Sequence, residues 1–338
     1  MNTVVITGGA KGMGLATAHI MGKDHRIVLW DIDQNALTAA VEELTAAGID
    51  ATGAVCDITD RATVNTEFDR AEAGGHVRAV VHSAGVSPQM GNAEFIFRVN
   101  SVGTLNMTES YLRLAREGDA MVNVSSVAGH MMPDVVNPKR TFALALTDSD
   151  AFSTKIVKAA NLIPGKMRAG LAYGQSKAFV IWYSKKMAAA FGAKGARILS
   201  VSPGSFDTPM GNLEIASGSD KLTDIAALKR FGKPEEVGSL LAYVISEGPG
   251  YLTGVDIICD GGTMAAMTMK DMLAMTKGEG DDAAEAAGLP GGRLKRALSQ
   301  AGRSKPGPGK PSRARAVTTP PPAPAQHLHR NLHREARM

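Results

Sequence analysis

Tyr173 and Lys177 stand four residues apart in the run Tyr173-Gly174-Gln175-Ser176-Lys177. On a helix, positions i and i+4 share one face, so this spacing sets a phenol beside an ammonium. A free phenol titrates near pH 10, too high for efficient proton transfer at neutrality. A neighbouring cation favours the phenolate and lowers that value, which suits the pair to acid–base work on an alcohol or carbonyl oxygen. Many helices carry this spacing by chance, so its weight depends on its surroundings. Upstream, Val122-Asn123-Val124-Ser125-Ser126-Val127-Ala128-Gly129 ends an apolar run in two serine hydroxyls, and Asn100 opens a long helical stretch.

A second group of residues is built for phosphate. Thr7-Gly8-Gly9-Ala10-Lys11-Gly12-Met13-Gly14 follows an apolar run and leads into a helical one. Glycines there let the chain turn tightly and bring backbone N–H groups to a pyrophosphate at the helix N-terminus. The strand–turn–helix context at the start of the chain makes dinucleotide binding the expectation. Asp31, 17 residues beyond Gly14, ends the next apolar run. Its carboxylate suits the adenosine ribose hydroxyls and opposes a 2′-phosphate, whereas Lys11 can reach a phosphate. Asp31 opposes the extra phosphate directly, so NAD rather than NADP is predicted. Asp57, in Cys56-Asp57-Ile58, can meet an adenine amino group or cap the next helix. In His82-Ser83-Ala84-Gly85 the small residues let backbone approach a nicotinamide ribose, and His82 reads as a strand-end side chain rather than a metal ligand.

These residues need a frame that gathers them. Strand-like runs at 3–7, 26–31, 51–56, 78–82, 120–125, 196–201 and 255–259 alternate with helical stretches such as 35–46, 60–72, 98–115, 171–191 and 234–246. Continuous apolar runs such as Ile27-Val28-Leu29-Trp30 are typical of parallel sheets covered on both faces. The alternation predicts an α/β, Rossmann-type doubly wound parallel sheet of about seven strands, with ligands at the carboxyl ends of the strands. Residues 130–170 are too long for an ordinary connection. They contain a predicted helix from Asp150 to Asn161 and read as an inserted lobe on a single domain.

The formal charge of +4 is unevenly spread: residues 276–338 hold 12 Lys/Arg against 5 Asp/Glu, leaving 25 against 28 in residues 1–275. Half of the 16 prolines also fall after Thr276. Such a segment buries too little apolar surface to offset its ordering entropy and is predicted to be disordered. It lacks interleaved aromatics or a recognisable module, so no nucleic-acid partner is expected. Two distant cysteines, Cys56 and Cys259, exclude a disulfide framework, and His327, His329 and His333 lack companion ligands, so no metal is predicted. No secretory leader or run of 18 apolar residues is visible; a cytoplasmic location without membrane attachment is the expectation.

The combination resembles the classical short-chain dehydrogenase/reductase family. Thr7–Gly14, Asn100, Ser126, Tyr173 and Lys177, Ser202-Pro203-Gly204 and Asp260-Gly261-Gly262 occur in that family's order. The likeness covers residues 1–265, with 266–338 as an extension. It implies that Tyr173 is the catalytic acid/base, that Ser126 hydrogen-bonds the substrate oxygen, and that Asn100 holds a water in a proton relay. Lys177 would bind the nicotinamide ribose and lower the tyrosine pKa. Ser126 is preferred to Ser125 because the family's serine immediately precedes the small-residue stretch matched by Val127-Ala128-Gly129. Thr208, five residues after Pro203, matches a threonine that contacts the carboxamide. The cofactor contacts implied are Gly8, Lys11, Gly12, Met13, Gly14, Asp31, Ile32, Asp57, Ile58, Ser83, Ala84, Gly85, Tyr173, Lys177, Pro203, Gly204, Phe206 and Thr208.

Two departures accompany the likeness. His82-Ser83 stands where the family has paired asparagines, which bears on local bracing of the sheet more than on chemistry. Ser126 and Tyr173 lie 47 residues apart, against about a dozen in the usual form. That insertion, with Asn137-Pro138, Leu144-Ala145-Leu146 and Leu171-Ala172-Tyr173, resembles the 3α-hydroxysteroid dehydrogenase/carbonyl reductase branch. The helix bearing the Tyr–Lys pair forms a dimer face in many members. A lobe before it can cover that face, so a homo-oligomer need not use the helix-mediated dimer.

The predicted reaction is interconversion of a secondary alcohol and a ketone, the partner a small carbonyl or alcohol compound such as a hydroxysteroid. Pro209 to Phe231 is the predicted substrate loop. Met90, Met131, Met132, Met210 and Met264 suit an irregular apolar ligand, or serve as ordinary core. The rival readings are a 3-oxoacyl thioester or small-ketone reductase on the same four residues, and a non-catalytic dinucleotide-binding regulator.

Overall fold

The structure, a computed structural model, describes residues 1–131, 134–163, 168–215, 220–268 and 271. Its strands are β1 (Thr3–Thr7), β2 (Arg26–Asp31), β3 (Ala51–Val55), β4 (Val77–His82), β5 (Ala120–Val124), β6 (Arg197–Pro203) and β7 (Asp256–Cys259). They form one sheet in the order β3-β2-β1-β4-β5-β6-β7, and every pairing is parallel. This is the doubly wound α/β sheet that the apolar runs predict. β1, β4 and β6 are buried along their whole length, because helices cover both faces. The winding reverses between β1 and β4, where Thr7 lies beside His82. At such a reversal a crevice opens beyond the carboxyl ends of the strands.

The helices among the described residues are α1 (Gly12–Met21), α2 (Gln34–Ala46), α3 (Arg61–Ala73), α4 (Ala93–Phe97), α5 (Thr104–Leu114), α6 (Ala128–Met131), α7 (Lys139–Leu144), α8 (Ser149–Ala159), α9 (Arg168–Gly192), α10 (Pro209–Ile215), α11 (Asp220–Ile225), α12 (Pro234–Ile245) and α13 (Thr263–Ala266). Side-chain caps set several starts: Asp33 accepts from Ala36 N, Asp60 from Ala62 N, Asn92 from Phe95 N and Asp148 from Ala151 N. Alternate residues of β1 feed two cores. Val4 and Ile6 pack with residues of α1, α2 and α12, whereas Val5 packs with residues of α3, α4, α5, α8 and α9.

Two features differ from expectation or extend it. The helix predicted over 98–115 begins earlier, at Ala93, and widens into a π-helical segment at Arg98–Gly103 before α5. The Asn92 cap is the local cause of the early start. The inserted stretch folds as α6, a 3₁₀ turn at Asp134–Val136, α7, α8 and a second 3₁₀ turn at Ala160–Leu162. Phe142 and Phe152 place their rings 5.2 and 4.6 Å from Phe179 of α9, and Phe142 lies 5.8 Å from Trp182. The lobe therefore covers one side of α9. The predicted tail over 276–338, and Met132 within the lobe, lie outside the described residues.

Candidate active site

The long helix α9 carries Tyr173 and Lys177 on one face, past the carboxyl end of β5. Lys177 is 7% exposed. Its Nζ donates to Val124 O at 3.1 Å and lies 5.8 Å from the centroid of the Tyr173 ring. Tyr173 is half-buried. The two serines after β5 part company: Ser125 is buried and donates to Lys177 O at 2.8 Å, fastening the strand end to α9. Ser126 is half-buried, and its Oγ accepts from Ala128 N at 3.2 Å in the turn that opens α6. Gly129 fits that turn against α9, where a Cβ would come 2.8 Å from Lys177 C.

Asn100 sits in the π-helical segment and is 1% exposed. Its Oδ1 accepts from Val86 N at 2.9 Å, and its Nδ2 donates to Val86 O at 3.0 Å and Ser176 Oγ at 3.1 Å. The amide thus ties the loop after β4 to α9 one residue before Lys177. π-Helical turns inside α-helices are frequent at functional sites. Gly85 completes the enclosure, since a Cβ there would lie 3.1 Å from Asn100 Oδ1 and 3.4 Å from Lys177 Nζ.

His82 supplies the bracing that its departure from the family pattern left open. Its Nδ1 lies 2.8 Å from Thr7 Oγ1 and its Nε2 3.1 Å from Thr104 Oγ1. Ala84 N donates to Thr7 Oγ1, and Thr104 Oγ1 donates to Asn100 O at 2.8 Å. The consistent assignment has Thr7 donating to Nδ1 and Nε2–H donating to Thr104. Burial, reinforced by the Lys177 charge, pushes the imidazole pKa down to about 3. A neutral ring therefore links β1, β4 and the helix of Asn100.

The glycine turn before α1 has the geometry of a phosphate cradle. Gly8 and Gly12 adopt φ of 61° and 55°, and a Cβ on Gly14 would strike Gly8 O at 2.4 Å. α1 begins without a side-chain cap and without an acid in its first turn, so its leading N–H groups remain for an anion. Met13 is half-buried, and Thr208 packs opposite Gly12, 7% exposed. Ser83 Oγ donates to Thr7 O at 2.6 Å, which keeps Ser83 and Ala84 against the turn. A nicotinamide dinucleotide fits this set of residues: a crowded Gly-rich turn for the pyrophosphate, an acid at the end of β2 for a ribose, and Gly85 beside Lys177 for the other ribose.

At the end of β2, Asp31 Oδ1 accepts from Ile32 N and Asp33 N, and Oδ2 approaches Ala10 N at 3.4 Å. Ile32 is 70% exposed. Asp57 is exposed and accepts from Thr59 N, while Asp60, not Asp57, caps α3. Ile58 and Phe206 are core side chains, 5% and 4% exposed, packed on Gly103 and Gly232. Pro203 is buried at the end of β6, and Gly204 N donates to Cys259 O at 2.9 Å.

Beyond the predicted set, Asp256 of β7 accepts from Ser200 Oγ, from Ser202 Oγ at 3.0 Å and from His130 Nε2 at 2.7 Å. This joins β6, β7 and α6, four residues past Ser126. Nothing in the spacing of these residues reveals the link; it depends on the β6–β7 register. The predicted substrate loop is fixed at its far end by Arg230, whose guanidinium donates to both Glu236 oxygens at 2.8 and 2.7 Å and holds that carboxyl down at about 2. Met90 is 45% exposed, and Met131, Met210 and Met264 are half-buried rather than core. Among the described residues no group of three or more His, Cys, Asp or Glu side chains is placed to hold a metal, and no helix is long and apolar enough to cross a membrane.

Comparison with known proteins agrees with this geometry. Residues 2–138 match the short chain dehydrogenase family, and residues 150–264 match a family described as enoyl-(acyl carrier protein) reductase. The short-chain dehydrogenase/reductase bsc3 of Alternaria brassicicola is 31% identical over 272 residues, covering 79% of this chain and 97% of the relative. A 3-alpha-hydroxysteroid dehydrogenase/carbonyl reductase of Comamonas testosteroni is 29% identical over 274 residues, covering 79% and 98%. A short chain dehydrogenase of Burkholderia cenocepacia, solved with NADP, superposes with a TM-score of 0.62 at 24% identity, covering 78% of this chain and 98% of that one. The chain is an oxidoreductase that belongs to the short-chain dehydrogenase/reductase family.

Proposed function

We propose that this oxidoreductase interconverts a secondary alcohol and a ketone, using NAD in preference to NADP, within a catalytic unit of about residues 1–265. The observation that carries the reading is the fixed Lys177 ammonium, held by Val124 O with its Nζ 5.8 Å from the Tyr173 ring, at the carboxyl end of the sheet. A bound nicotinamide supplies the hydride acceptor or donor. Tyr173 takes the proton from the alcohol oxygen on oxidation and returns it on reduction. Ser126 Oγ donates a hydrogen bond to that oxygen as its charge develops, and the Lys177 ammonium stabilises the Tyr173 phenolate, which is the base before oxidation and the form left after reduction. Lys177 also hydrogen-bonds the nicotinamide ribose. Asn100 holds the loop at Val86 and Ser176 in place and borders the proton path. Gly8, Gly12, Met13 and Gly14 receive the pyrophosphate, and Asp31 with Ile32 receives the adenosine. Ser83 to Gly85 and Pro203 to Thr208 flank the nicotinamide end.

A hydrophobic substrate such as a hydroxysteroid is the favoured class, supported by the half-exposed methionines and by the Comamonas relative's name. A 3-oxoacyl thioester is the second reading, supported by the family matched at residues 150–264. Kinetics with a ketosteroid, an acetoacetyl thioester and a quinone separate them. The two unpaired cysteines suit a reducing, cytoplasmic setting. Tyr173→Phe tests the mechanism: turnover should vanish while NADH still binds, and retained turnover sinks the assignment.

A further inference from the structure

Two turns meet beside the adenosine end of the cleft, and an ion pair bridges them. Lys11, in the glycine turn, donates from Nζ to Asp33 Oδ2 at 2.8 Å, with the side chains 56% and 46% exposed. Asp33 is held in place from the other side, since its Oδ1 accepts from Ala36 N at 3.1 Å and caps α2. Asp31 lies two residues away and also acts on Lys11. The hydrogen bond to Asp33, opposed by slight burial and joined by the charges of Asp33 and Asp31, raises the lysine above its usual pKa. Lys11 is thus a cation already engaged by an acid whose other oxygen is taken up by the backbone N–H of Ala36 at the start of α2.

The charge at this corner decides what binds there. Asp31, Asp33 and Lys11 together present one net negative charge to whatever occupies the end of β2. A 2′-phosphate would meet Asp31 directly and would find the only cation of the glycine turn engaged. Asp31 alone cannot account for this, because an unmasked Lys11 stands close enough to Asp31 to be felt by it and would offset its charge.

We infer that Asp33 is a specificity residue for the dinucleotide: by holding Lys11 in an ion pair it withholds that lysine from a 2′-phosphate, so that discrimination rests on two acids and not on Asp31 alone. The inference rests on the cofactor reading above and sharpens it. It also names the shortest route to altered specificity, in which Asp33 is neutralised and Asp31 is left in place. Asn is the suitable replacement because it caps a helix as well as Asp does, so α2 keeps its start.

The test is fluorescence titration of NADH and NADPH into the full chain, with wild type, Asp33→Asn, Lys11→Ala and the double variant compared. Released Lys11 gains a charge-assisted contact to phosphate, so Asp33→Asn should bind NADPH about tenfold more tightly, with a far smaller change for NADH. Lys11→Ala should abolish that gain in the Asp33→Asn background and change NADPH binding little in the wild-type background. An unshifted NADPH:NADH ratio in Asp33→Asn overturns the proposal. So does a Lys11→Ala effect of equal size in both backgrounds, which would mean that Lys11 reaches the phosphate with Asp33 in place. If the wild-type chain binds neither dinucleotide, the cofactor reading itself fails, an outcome distinct from binding with an unshifted ratio.

Discussion

Acid should destabilise this protein through His82. The imidazole is 2% exposed, sits between Thr7 Oγ1 and Thr104 Oγ1, and has its pKa pushed down to about 3, first by burial and then by Lys177. In the unfolded chain a histidine titrates near pH 6.5. Because the folded value is the lower one, the stability is present above about pH 6.5 and is lost as pH falls toward 3. Between pH 6.5 and 4 the unfolded chain binds a proton that the native state refuses. At about 1.4 kcal/mol per unit the loss reaches about 3 kcal/mol, a large share of a typical stability of about 5–15 kcal/mol. Asn at this position cannot titrate, yet it can accept from one threonine and donate to the other. Urea unfolding of wild type and His82→Asn at pH 7, 6, 5 and 4 isolates the contribution, since the other titrating groups are common to both and cancel. Wild type should lose about 1.4 kcal/mol per pH unit more than the variant below pH 6. Parallel curves would refute the reasoning, for they would mean that native His82 accepts a proton without penalty.

Three other variants probe the site and its support. Ser126→Ala should lower kcat about a hundredfold or more, as loss of a donor to a developing oxyanion does. Ser125→Ala should instead lose about 1 kcal/mol of stability with the Lys177 O hydrogen bond, and little activity; steady-state kinetics and urea unfolding of both variants distinguish the two hydroxyls. Phe152→Ala removes a fully buried ring stacked 4.6 Å from Phe179, and should lower global stability by about 3–5 kcal/mol. A loss under about 1 kcal/mol in urea unfolding would mean that the lobe is not part of the core around α9.

The sheet was legible because parallel strands buried on both faces must be apolar throughout. Ile27 to Trp30 and Ala79 to Val81 therefore stand out, and the glycines after β1 mark a turn that needs them. The four residues expected to do chemistry were legible as types in sequence order. Their connections were not. The Asn100 amide bonds to Val86 and Ser176, and His82 bonds to Thr7 and Thr104, across 14 to 76 residues of chain. Such pairs depend on strand register and helix rotation. In the sequence Lys11 stands out as a cation for a phosphate and Asp33 carries no mark; only the β1–β2 pairing sets the two side by side. The π-helical segment carries no compositional mark, since a wider turn uses the same residues as an ordinary one. Ile58 and Phe206, which the family likeness sets among the cofactor contacts, have side chains packed in the core against Gly103 and Gly232, a burial their apolar type alone does not specify.

That π-helical segment holds one residue more than an α-helix of the same rotation would. An α-helical residue turns the chain by about 100°, and a residue in the wider i→i+5 turn by less. Removal of one residue between Arg98 and Gly103 would therefore let an ordinary helix join the same two ends, with Ile96, Phe97, Leu105 and Tyr111 keeping their seats in the core. The wide turn that carries Asn100 to Val86 and Ser176 would be lost. The fold would survive the shortened chain and the site would not, so chain length here serves the chemistry rather than the stability.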